Sequence, residues 1–82
     1  MREPWPIEWH GRLVGWLVDP FPEMFNCSGQ WRPAERAGDE FITALRVAGP
    51  DGLRVVLHGV PGVVDELPDQ EGGLTVHWWP RA

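Results

Sequence analysis

The side chains of this sequence with most chemistry to offer are three histidines, one cysteine and a few neighbouring acids. On alternating strands His58 shares a face with Arg54 and Val56, and His77 shares one with Thr75 and Trp79. If those strands pair in register, His58 and His77 become neighbours, and Cys27 or Glu8 could complete a zinc or copper site. None of the HxH, HxxxH or CxxC spacings that gather ligands on one element is present, so no metal or other cofactor is expected. Cys27 beside a histidine could act as a nucleophile. Its context, Asn26-Cys27-Ser28-Gly29, carries no nucleophile signature, and a lone cysteine behaves more often as a small buried hydrophobe. Asp65-Glu66 and the nearby Asp69 and Glu71 would need a dry, shaped pocket for acid–base work. A solvated turn is the expectation for them, with a negative rim that speeds encounter with a basic partner. No catalytic residue and no enzyme are expected.

The tryptophans offer a different chemistry. Six occur in 82 residues. In a chain this short, hydrophobic burial barely offsets the entropy of ordering, so indoles of roughly 150–250 Å² each are needed in the core. Adjacent strand residues point to opposite faces, so Trp78 and Trp79 cannot both enter one core. The indoles left over would form a patch for a partner, because exposed apolar patches mark interaction sites and Trp is enriched at interface hot spots. Trp5, Trp9 and Trp79 lie near the chain ends and would cluster if the terminal strands pair. With Phe21 and the acids Asp69 and Glu71 they make the expected partner-binding set. The alternative is a small-ligand barrel whose Trp-lined pocket holds Arg54, His58 and His77 as its polar groups.

Composition narrows the partner. The net charge is −5, all basic residues are Arg, and Lys is absent. The acidic balance argues against nucleic acid, which demands a basic stripe to displace counterions. One cysteine excludes an intrachain disulfide and fits a reducing compartment. No apolar run is long enough for a membrane span, and Met1–His10 lacks the apolar core of a signal peptide. A complete small cytoplasmic protein that binds another protein or an identical subunit is therefore the expectation.

The elements that must position these residues are short. Nine Pro and ten Gly punctuate the chain and favour strands and turns over long helices. Trp5, Ile7 and Trp9 alternate with Pro6, Glu8 and His10, the period of a strand, and His10-Gly11 breaks the run. Leu13–Val18 reads as a central strand covered on both faces, with Gly15 marking a bend or a close approach. Asp19-Pro20-Phe21-Pro22 ends it as a stiff loop with Phe21 packed inward. A short strand is expected around Gly29-Gln30-Trp31, and a polar loop over Pro33–Glu40. Phe41–Ala48 has two readings. As a strand it pairs with Leu53–His58 through a Gly49-Pro50-Asp51-Gly52 loop, the preferred reading. As a helix it places Phe41, Ala44, Leu45 and Ala48 on one face, capped by Gly49 and stopped by Pro50. Pro61-Gly62 is expected to form a type II turn, followed by strands over Gly62–Leu67 and Leu74–Trp79 around a polar turn at Pro68–Gly73. No internal repeat is visible. The expected fold is mostly β, a single domain forming a small antiparallel barrel or sandwich of five or six short strands. The alternative is α+β, with one helix around residues 34–48 packed on an antiparallel sheet.

Overall fold

The computed structural model describes residues 3–79. Six strands, β1 (Trp5–Trp9), β2 (Arg12–Pro22), β3 (Asn26–Pro33), β4 (Leu53–Leu57), β5 (Val60–Val64) and β6 (Gly73–Trp78), close into an antiparallel barrel. Around the barrel they run β1-β2-β3-β6-β5-β4. One helix, α1 (Glu35–Ala48), and a single 3-10 turn at Gly49–Asp51 join β3 to β4. The small barrel expected from strand spacing is present, together with the one helix of the α+β alternative.

Period-2 alternation fills the interior. Ile7, Leu17, Cys27, Leu57, Val64, Leu74 and Val76 point inward and are buried, and Trp5, Trp9, Trp31 and Trp78 pack against them. Closure leaves no unpaired strand edge. Gly15 is buried beneath the Trp31 ring, whose atoms would stand 2.6 Å from any Cβ placed there. This is the close approach that a glycine inside a strand signals.

The hairpin preferred for Phe41–Ala48 is replaced by α1. Phe41 and Leu45, four apart, are its buried face with Gly38, while Val47 is 84% exposed. The strand pattern would have needed Val47 inside. The helix instead sets Phe41 into one end of the barrel, 5.7 Å from the ring centroids of both Trp9 and Trp31. Gly38 lets the helix backbone lie against Pro33 and the Val14 carbonyl. Tertiary burial thus decides a segment whose local pattern is balanced.

Two further expectations are corrected. β2 does not stop at Asp19. It bulges there, with Asp19 at φ +50 and the register with β3 shifting between Val18 and Phe21. The bulge inverts the alternation, so Pro20 is buried and Phe21 stands 60% exposed instead of packed inward. Pro61-Gly62 is not a turn but part of β5. The chain reverses three residues earlier, at His58 (φ +49) and Gly59 (φ +81), the sign pair of a two-residue hairpin loop.

His10 (φ +54) and Gly11 (φ +72) make the same reversal between β1 and β2. The equivalence extends further, and reveals an internal two-fold that the sequence hides. The meander β1-β2-β3 matches β4-β5-β6, and the two join through antiparallel β1·β4 and β3·β6 pairs. Ile7 stands opposite Gly15 as Val55 stands opposite Gly62. Gly15 faces Pro33 as Gly62 faces Trp78. Gly15 lies under Trp31 as Gly62 lies under Val76. The pseudo-axis passes between Glu8 and Val56 on one side and between Gly29 and Leu74 on the other. Only His-Gly and the buried glycine survive as identities between the halves, which is why no repeat is legible in the residues.

Candidate functional site

The axis makes the two barrel ends equivalent in backbone but not in cover. At the helical end lie the His10-Gly11 turn, the β5–β6 loop and α1. At the distal end lie the His58-Gly59 turn, the start of β1, the end of β6 and the β2–β3 connection, Glu23–Phe25. That connection is held at several points. The Glu23 N–H donates to the Asn26 carbonyl at 2.6 Å, and the Trp78 N–H donates to the Phe25 carbonyl at 3.0 Å. The Trp78 indole N–H donates to the Glu23 carbonyl at 2.8 Å. Between these anchors Met24 is 83% and Phe25 69% exposed, and Phe21 on the adjoining bulge is exposed too. Asp19 and Glu23, both exposed, flank the apolar tip. A braced turn that presents three large apolar side chains loses little entropy on binding.

The expected partner set is therefore divided. Phe21 belongs to this tip. Trp5 is half-buried at the same end, stacked 4.7 Å from the His58 ring at 4° between planes. Trp9 lies beneath Phe41 at the helical end and presents no patch. The chain-end tryptophans do not cluster, because β1 pairs with β2 and β4 while β6 pairs with β3 and β5. Asp69 and Glu71 lie far from the tip, in the β5–β6 loop. There Asp69 Oδ1 accepts the N–H groups of Glu71 and Gly73 at 2.9 and 2.8 Å, which makes Asp69 a turn former.

The polar set divides as well. Arg54 and His77 project from the outer wall of β4, β5 and β6, while His58 sits in the distal turn. β5 separates β4 from β6, so His58 and His77 are not neighbours. His77 Nε2 lies 3.4 Å from Asp65 Oδ1, both half-buried. Trp79 lies on this same wall, with the Arg54 guanidinium carbon 4.4 Å from its ring centroid. Trp78 and Trp79 do face opposite ways, as alternation requires. Two shallow clefts meet at Asp65. One, of about 280 Å³, is lined by Ser28, Thr75, Glu66, Asp69 and His77. The other, of about 440 Å³, is lined by Asp51, Gly52, Arg54, Val63 and Trp79.

Cys27 is buried in the core and His10 is exposed in its turn. Among the described residues no three His, Cys, Asp or Glu side chains group closely enough to hold a metal ion. No described helix is long and apolar enough to cross a membrane. The residues that sequence reasoning passed over are Met24, Phe25 and the bracing Trp78. Their signal was present: two large apolar residues between Pro22 and Asn26, where a loop should be polar.

Comparison of the chain with protein-family models, with curated proteins and with solved structures found no match.

Proposed function

We propose that this chain is a non-enzymatic protein-interaction module, an adaptor, inhibitor or neutralising partner, that docks through the β2–β3 tip. The observation that carries the reading is the rigid display of Phe21, Met24 and Phe25 on a turn braced by Trp78. Large exposed apolar side chains oppose solubility unless a partner covers them. Asp19 and Glu23 beside the tip, and a net charge of −5, favour a partner with a basic rim around an apolar pocket. The same charge opposes close approach of an identical subunit, so the partner we propose is another protein. Nucleic acid and membrane are not proposed as partners. No catalytic role is assigned: the histidines and Cys27 stand apart from one another, in turns, on the wall and in the core. A cytoplasmic setting suits a buried, single thiol.

The test is the size of the species that carries the chain in extracts of its native cells. Wild-type protein is expected in a complex larger than its own 9.3 kDa. The Met24→Asp, Phe25→Asp double variant, with an unchanged urea midpoint, is expected to run alone. Wild-type protein running alone, or the variant retained in the complex, contradicts the reading.

A second reading concerns small ligands. The barrel interior is filled by apolar side chains, so Arg54 and His77 would hold a ligand on the outer wall. The paired clefts about Asp65 favour that reading.

A further inference from the structure

The Trp79 cleft contains an arrangement that neither a core nor a plain surface requires. Arg54 extends from β4 and lays its guanidinium over the Trp79 ring at 4.4 Å. Asp51 and Asp65 line the same cleft. Among the described residues, however, Arg54 makes no ion pair with either carboxylate. Asp65 turns toward His77 instead, at 3.4 Å. The cleft thus has a π face, two carboxylates and backbone at Gly52. Among the described residues its own arginine uses only the π face.

We propose that this cleft is a binding site for the guanidinium group of an arginine carried on a partner segment, and that Arg54 is its built-in occupant. A flat cation stacks on an indole through the ring quadrupole, and a guanidinium alone among side-chain cations can also present a planar fork to a carboxylate. An incoming arginine displaces Arg54 from Trp79, which costs only an exposed stack. It then gains the charge-assisted hydrogen bonds to Asp51 or Asp65 that Arg54 leaves unmade. Val63 and Gly52 also line the cleft, adding an apolar side chain and a residue without side-chain bulk. The site lies on the β4–β5–β6 wall and does not depend on the β2–β3 tip, so the two proposals fail separately.

The experiment is a titration of the full chain with acetyl-Gly-Arg-Gly-amide, followed by NMR through the Trp79 indole N–H and the Val63 amide. The citrulline peptide is the uncharged control and the lysine peptide the non-planar one. The arginine peptide is expected to shift both signals saturably in the millimolar range, and the citrulline peptide to shift neither. Arg54→Gln, an exposed change that leaves the fold intact, is expected to tighten binding about threefold by removing the competing cation. Trp79→Ala is expected to abolish the Val63 shift, and Asp65→Asn to weaken it several-fold. Lysine binding at least about threefold more weakly supports the planar-fork account. No saturable shift with the arginine peptide overturns the proposal. So does equal binding of citrulline or lysine, or an Arg54→Gln variant that binds no more tightly than wild type.

Discussion

The indole N–H of Trp78 donates to the backbone carbonyl of Glu23 at 2.8 Å, across 55 residues of chain. It ties the end of the last strand to the turn between the second and third. Trp78→Phe keeps most of the apolar bulk and removes the donor. The expected cost is about 1 kcal/mol of stability, read by urea denaturation. Exchange of the Glu23 amide, which bonds to Asn26, is expected to quicken at least tenfold while amides in β4 and β5 stay protected. Unchanged exchange at Glu23 would mean that the tip is rigid without Trp78.

The pseudo-two-fold makes a prediction about pairs of glycines. Gly15 and Gly62 both lie under inward side chains, with a Cβ at Gly62 standing 2.5 Å from Val76 Cγ1. Gly15→Ala and Gly62→Ala are each expected to cost about 1–3 kcal/mol through overpacking. Gly11 and Gly59 are the other equivalent pair. Each has open space around it and a positive φ, so alanine there is expected to cost about 1–2 kcal/mol of backbone strain alone. Core strain should disorder the Trp31 and Val76 neighbourhoods and shift their NMR signals, whereas turn strain should leave them in place. A Gly62→Ala variant as stable as wild type would break the equivalence.

Phe41 is the bridge between helix and barrel. Phe41→Ala is expected to cost about 3–5 kcal/mol and to red-shift the emission of Trp9 and Trp31, which it covers. Val47→Ala, six residues along on the exposed side, is expected to change neither the urea midpoint nor the emission. Equal effects of the two variants would mean that the helix is not seated as described.

Much of this was legible in the residues. Strand alternation put Trp5, Ile7 and Trp9 on one face, set Trp78 and Trp79 on opposite faces and marked Gly15 as a bend or a close approach. The rest depended on contacts distant in sequence. Phe41–Ala48 reads as a strand slightly ahead of a helix until Trp9 and Trp31 offer Phe41 a seat. Phe21 reads as an inward residue until the left-handed backbone of Asp19 inverts the alternation. Pro61-Gly62 looks like a turn because Pro and Gly are adjacent. Yet Gly62 is required by Val76, and the turn falls on His58, at a positive φ that is uncommon for any residue but glycine. The partner set mixed both barrel ends because sequence position near a terminus does not reveal which strands are neighbours.

The central claim is that Met24 and Phe25 contact another protein. It is tested most directly by placing a photo-crosslinking amino acid at position 24, and separately at position 47, in protein produced in its native cells. Position 47 is as exposed as position 24 but lies on α1, at the other end of the barrel. The account predicts one discrete adduct from position 24, lost when Phe25→Asp is added, and none from position 47. No adduct from position 24, or the same adducts from both positions, would contradict it.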